Sequence, residues 1–257
     1  MKQLFSRRHQ VAAAALALLA LGVPAQAASG PKETDRVERT VPLEAGGTLK
    51  LKNFSGRVDV VGEARSDVSI VAVRRATRDR LDRIKLDIQS DGHLVSIDAN
   101  KRDSDWDQHN DNVVETEFTI KVPQKVNLDL SVFSSPVQVS NVSGTHRVHG
   151  FSSDLRLDKI TGPVDAETFS GQVFVAPASW QAGQAMRVKT FSGDIDIRLP
   201  EAAAGIVEFD SFSGDVKTEL PLTFESKSRR KMRGRLNGGD TGELTFKTFS
   251  GDVHLGR

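Results

Sequence analysis

The chain has 257 residues and contains neither cysteine nor tyrosine. Without cysteine there is no disulfide framework, no thiolate metal site, no thiol catalysis and no cysteine for a lipoprotein anchor. An excess of one charge is also missing. With 35 Lys+Arg against 34 Asp+Glu, no global basic field points to nucleic acid. Past residue 27, no apolar run approaches the ~20 residues that a membrane span needs. What is present suits a soluble globular protein: 38% hydrophobic and 27% charged residues, a balance that excludes general disorder. Phenylalanine is abundant, at 13 copies.

Residues 1–27 read as an export signal. Lys2, Arg7 and Arg8 form a positive start, Val11 to Val23 is uncharged and apolar, and Ala25-Gln26-Ala27 supplies the small-x-small cleavage pattern. Cleavage is expected between Ala27 and Ala28. Ser6-Arg7-Arg8 resembles a twin-arginine signal, but His9-Gln10-Val11 departs from it, so the expectation is general export. The exported chain is then periplasmic or extracellular. It carries 32 basic and 34 acidic residues, because the signal holds three of the basic ones and no acid.

Internal repeats dominate the remainder. Phe-Ser-Gly or Phe-Ser-Ser begins at Phe54, Phe133, Phe151, Phe169, Phe191, Phe212 and Phe249, in steps of 79, 18, 18, 22, 21 and 37. Val142-Ser143-Gly144 and Ile160-Thr161-Gly162 follow Phe133 and Phe151 by nine residues. Positions four and six after each Phe are apolar in thirteen of fourteen cases, Thr218 being the exception. Three before stand Leu51, Leu130, Val148, Ala166, Val188, Phe209 and Phe246. Five before stand Leu49, Leu128, His146, Val164, Met186, Val207 and Leu244. Alternation on both sides is the strand period, and the triplet between is a corner where Gly relaxes the backbone.

The unit predicts an all-β, single-stranded β-solenoid of mostly parallel stacked strands with Phe-Ser-Gly corners. An antiparallel meander is the alternative. The solenoid accounts for the repeated Phe itself, since like residues then stack at ~4.8 Å. It predicts Phe151, Phe169, Phe191 and Phe212 in one interior column. Short strands are expected at 41–43, 48–52, 57–61 and 68–73, a helical turn at 77–83, and further strands at 84–88, 94–97 and 117–122. Residues 99–112 read as a polar loop, and 176–185, 200–205 and 225–242 as loops hung off the column. No linker divides residues 28–257, so one domain is expected.

This layout resembles a family of bacterial envelope proteins known as putative adhesins, a domain of unknown function built of β-strand repeats. The resemblance rests on Phe118-Thr119-Ile120-Lys121-Val122-Pro123 and on Ser192-Gly193-Asp194-Ile195, Ser213-Gly214-Asp215-Val216 and Ser250-Gly251-Asp252-Val253. It covers roughly residues 40–257. It implies a solenoid-like fold and an envelope location, and it implies no catalytic residues.

Asp103-Ser104-Asp105-Trp106-Asp107 opens like a calcium loop, but Gln108 and Val114 stand where Gly and Glu are needed. The Ser-Gly-Asp corners lack the G-G-x-G-x-D pattern of calcium-binding rolls, so their Asp is assigned to bonding within the corner. No G-x-S-x-G elbow occurs. His146 and His149 fall on opposite faces of a strand, and His93, His109 and His254 are isolated. Neither a metal nor another cofactor is expected. The sharpest polar feature is Lys227, Arg229, Arg230, Lys231, Arg233 and Arg235, six cations within nine residues. It reads as an exposed loop able to touch an anionic polysaccharide.

The functional expectation is a non-enzymatic envelope protein, an adhesin or scaffold that presents loops to an envelope protein or an anionic polysaccharide. The alternatives are a carbohydrate-active enzyme on a β-helix, recognisable by a cleft with paired carboxylates, and an envelope-stress regulatory partner.

Overall fold

The alternation on either side of each Phe-Ser-Gly triplet is realised as two strands, one before and one after the corner. The computed structural model describes residues 31–102, 113–228 and 230–257. In chain order the elements begin with β1 (Lys32–Ser55), β2 (Val58–Glu63), β3 (Asp67–Thr77), α1 (Arg78–Arg83), β4 (Ile84–Ser90), β5 (Gly92–Arg102) and β6 (Glu115–Pro123). The repeats follow as β7 (Asn127–Ser134), β8 (Val137–Ser140), β9 (His146–Ser152), β10 (Leu155–Ile160), β11 (Val164–Ser170) and β12 (Val173–Pro177). Then come β13 (Ala185–Ser192), β14 (Ile195–Arg198), β15 (Gly205–Ser213) and β16 (Val216–Thr218). The chain finishes with β17 (Leu222–Lys227), β18 (Lys231–Leu236), β19 (Glu243–Ser250) and β20 (Val253–Gly256). Pro31–Arg257 forms one compact unit.

Two sheets face each other across the core. The strands after the corners make the first sheet, in the order β6–β2–β8–β10–β12–β14–β20–β16, all parallel. The strands before the corners make the second, β5–β1–β7–β9–β11–β13–β19–β15, also all parallel. This is the solenoid, not the meander. Antiparallel pairing is confined to the ends. β1–β3–β6 and β4–β5 close one end, and β15–β18–β17 extend the second sheet at the other. Such end pieces shield edges that would otherwise offer unpaired backbone.

The repeat positions fill the core as the alternation requires. The residues five and three before each Phe, and four and six after it, are buried in every coil except that of Phe212, where Val216 and Thr218 are half-buried. The nine-residue half-steps are the opposite corners: Lys125, Ser143 and Thr161 bridge in parallel register. The corner glycines stack on one another. At Gly193 φ is +145° and a Cβ would lie 2.1 Å from the carbonyl oxygen of Gly171, so neither the conformation nor the space admits a side chain.

The coil that comes last in the chain, β19–β20, is inserted between β13–β14 and β15–β16, so the Phe212 coil is outermost. Three expectations are corrected. The short strands at 41–43 and 48–52 are one 24-residue strand that crosses from the first sheet to the second. Residues 225–242 are not a loop but contain the β17–β18 hairpin. And the Phe column is not interior.

Candidate binding surface

Period two settles where Phe points. With inward residues five and three positions earlier, the residue just before Phe is inward and Phe itself is outward. The rings of Phe54, Phe133, Phe151, Phe169, Phe191, Phe249 and Phe212, in that spatial order, form one unbroken stack. Successive centroids lie 4.5–5.0 Å apart, and the planes are 13° from parallel in the first pair and 2–4° in the rest. Each Phe is 37–51% exposed. The stack runs about 28 Å at the ~4.7 Å inter-strand spacing. Each ring face is covered by its neighbour, so the surface presents ring edges. Only the ends have a free face, and at Phe212 the Arg230 guanidinium lies 4.0 Å above it.

The inward position before Phe holds a polar row that the repeat pattern did not reveal. Asn53, Thr168, Thr190, Ser211 and Thr248 are buried there. Asn53 Nδ2 donates to the Gly56 and Thr116 carbonyls, both at 3.0 Å, and Thr168 Oγ1 donates to the Ser153 carbonyl at 3.0 Å. These bonds occupy corner carbonyls and hold the Phe-bearing turn in place. Where Ser replaces the corner Gly, the hydroxyl does the same: Ser153 Oγ donates to the Phe133 carbonyl at 3.2 Å, and it also accepts the Ser135 N–H at 3.1 Å.

Two rows flank the Phe stack. Two residues before each Phe, on the second sheet, stand Lys52, Ser131, His149, Glu167, Lys189, Lys247 and Asp210 in spatial order. Lys189 pairs with Glu167 at 3.5 Å. Three residues after each Phe, past the corner, stand Arg57, Pro136, Asp154, Gln172, Asp194, Asp252 and Asp215. Their carboxylates bond between coils, not within the corner as expected. Asp154 accepts the Gln172 N–H at 2.9 Å, Asp194 that of Asp252 at 2.8 Å, and Asp252 that of Asp215 at 2.9 Å. Between the Phe edges and the second-sheet row lie two adjoining hollows of about 380 and about 760 Å3, which meet at Gly150 and Phe151.

The basic cluster sits at the end of this surface, largely engaged. Arg233 pairs with Glu208 and, at 3.2 Å, with Glu225; Arg235 also pairs with Glu225; Lys231 lies 3.4 Å from Asp210. The Arg235 bond, then the Arg233 bond, hold the Glu225 carboxyl below the usual carboxylate range. Lys227 lies over Phe224 at 5.4 Å and Arg230 over Phe212. Neither has a carboxylate partner among the described residues. Arg229, the export signal with Ala27 and Ala28, His109, and the Asp103–Asp107 segment with Trp106 lie outside the described residues.

The other candidates are placed as follows. His146 points into the core and His149 outward, so they share no site. His254 lies on the outer face of the first sheet, 3.4 Å from Asp196 and 3.7 Å from Glu219. Among the described residues no group of three or more His, Asp or Glu could hold a metal ion, and no helix is long and apolar enough to cross a membrane. Glu167 and Asp210, the acids of the larger hollow, are three coils apart, about 14 Å at ~4.8 Å per coil. Glycosidic carboxylate pairs stand roughly 5–9.5 Å apart.

The family described as Toastrack DUF4097 matches residues 40–256. The chain belongs to that family. Among solved structures, the Toastrack fold here is similar to a protein described as a putative cell adhesion protein from Clostridium sporogenes, with 11% identity, 86% of this chain and 99% of that one covered, and a TM-score of 0.50. A protein described as a putative adhesin from Bacteroides fragilis is also similar, with 11% identity, 86% and 97% coverage and a TM-score of 0.40. No curated protein matches the chain.

Proposed function

We propose that this Toastrack protein is exported to the bacterial envelope, with cleavage after Ala27, and acts there as a non-enzymatic binding module whose contact surface is the Phe stack. The carrying observation is seven half-exposed phenylalanines in one unbroken line. At ~200 Å2 per ring they expose roughly 600 Å2 of contiguous apolar surface, the upper end for the largest patch of a typical monomer. Such a patch marks interaction. The adhesion named for the similar solved structure from Clostridium sporogenes supports the same reading. Ring edges, with faces already covered, suit a flat apolar or protein surface better than a sugar ring that stacks on an aromatic face.

The test replaces Phe151, Phe169 and Phe191 with Ser and compares retention on isolated envelope. Retention should drop while the β-sheet spectrum is kept; unchanged retention with an intact fold refutes the surface. N-terminal sequencing of the exported form should begin at Ala28. The hairpin has a smaller part in the same reading. Lys227 and Arg230, which have no carboxylate partner among the described residues, are proposed to touch an anionic polysaccharide, a contact that weakens as salt rises. Arg230→Ser with Lys227→Ser should lower retention on such a polymer at low salt only; equal retention at low salt counts against it.

A further inference from the structure

The two flanks of the Phe stack differ in charge, and the difference selects a partner. From the third coil to the sixth, the second-sheet flank reads His149, Glu167, Lys189, Lys247, while the corner flank reads Asp154, Gln172, Asp194, Asp252. Each coil therefore carries a basic or titratable group on one side of its ring and an acid or amide on the other, Glu167 beside Gln172 being the exception. We infer that the occupant of the Phe surface is a second copy of this chain, docked side by side with its own stack parallel to the first. This rests on the reading of the stack as a contact surface.

A two-fold axis parallel to the stack keeps every coil at its own height and exchanges left for right. Lys189 then meets Asp194 of the second copy, Lys247 meets its Asp252, and His149 meets its Asp154. Each contact occurs twice. Like charges meet only in the end coils, Lys52 with Arg57 and Asp210 with Asp215, and Asp210 already has Lys231 at 3.4 Å. The antiparallel arrangement fares worse. It places His149 against Lys189, Asp154 against Asp194 and Glu167 against itself, with opposite charges only in the end coils. Complementary potentials select partners and register, so the parallel pairing is favoured. Covering roughly 600 Å2 of rings plus both flanks approaches the ~800 Å2 per partner of a standard interface.

The absence of cysteine makes the geometry directly testable. Ser134 follows the Phe of the second coil and Ser250 that of the sixth. In the full chain, Ser134→Cys and Ser250→Cys are made singly and joined with a short bis-maleimide linker that spans the two layers of rings, alone and mixed, alongside sedimentation from micromolar to millimolar concentration. The parallel dimer predicts a linked homodimer from each variant alone, and a monomer when Phe151, Phe169 and Phe191 are replaced by Ser. Linkage of Ser134→Cys chiefly to Ser250→Cys in the mixture would show the antiparallel pairing and overturn the inference. A monomer at every concentration also overturns it. If that monomer still loses envelope retention with the Phe replacements, the contact surface stands and only the second copy is removed. If the dimer forms but retention ignores the replacements, the self-pairing stands and the envelope reading fails.

Discussion

Lowering the pH should loosen this protein through one buried side chain. His146 occupies the inward row that holds Leu49, Leu128, Val164 and Met186 in neighbouring coils, and it is fully buried. Its Nε2 donates to the Thr161 carbonyl at 3.2 Å, while Nδ1 has no partner among the described residues. Burial pushes its pKa down to about 4, against a smaller upward pull from the Thr161 bond. The folded chain therefore keeps a neutral ring where the unfolded chain, at an ordinary ~6.5, takes up a proton. Between those values the unfolded state binds more protons, so stability falls as pH falls. At ~1.36 kcal/mol per pH unit the interval amounts to about 3 kcal/mol, present in full above pH ~6.5, lost by pH ~4 and constant below. His146→Leu removes the titration and leaves no bare carbonyl, because the Thr161 oxygen also accepts the Gly144 N–H at 2.9 Å. Urea unfolding of both proteins across this range should show the variant gaining about 3 kcal/mol over wild type as the pH drops, a difference in which the other titrating groups cancel. A constant offset at every pH would refute the argument.

Three further outcomes follow from the geometry. Phe246→Ala, at a fully buried ring tilted against Phe209 at 5.5 Å, should cost ~3–5 kcal/mol in denaturant unfolding, whereas half-exposed Phe169→Ala should cost about 1–2; equal losses would contradict the outward placement. Gly193→Ala should cost at least ~2 kcal/mol, because it adds a Cβ at positive φ against a backbone oxygen; a melting temperature like wild type would count against the stacked corners. Glu225→Gln should speed amide exchange in β17 and β18 alone. In wild type that protection should be present above the usual carboxylate range and lost as pH falls through the lowered pKa of Glu225; exchange that ignores both changes would mean the Arg233 and Arg235 pairs do not hold the hairpin.

Much of this architecture is legible in the sequence because each coil repeats the same inward set, and repetition at fixed spacing leaves few folds open. The outward Phe was legible too, by parity: Ala166 and Val164 are inward, so Thr168 is inward and Phe169 is not. The inward set four and six residues after each Phe suggested burial and misled, because the corner between them changes the phase. The place of the last coil was not legible. Met186, Leu244 and Val207 share one register row, and a local pattern common to all coils carries no information about their order. The hairpin was obscured because its cations read as a solvated run, while their partners Glu208 and Asp210 belong to a strand some twenty residues earlier. The buried polar row was visible only as Asn, Thr or Ser before Phe, a signal that two of seven coils, with Val132 and Gly150, do not share.

The stack, its flanks and the proposed pairing all depend on the last coil lying sixth. The direct measurement is disulfide closure in two double variants of this cysteine-free chain. Ser192 and Ser250 are register neighbours, as are Ser250 and Ser213, which leaves Ser192 and Ser213 two strands apart. Neighbouring strands at ~4.8 Å fall within the Cα range of a disulfide and strands at ~9.6 Å fall outside it. Under mild oxidation, Ser192→Cys with Ser250→Cys should close fully within the monomer, and Ser192→Cys with Ser213→Cys should stay reduced. Closure of the second pair and not the first would contradict the account.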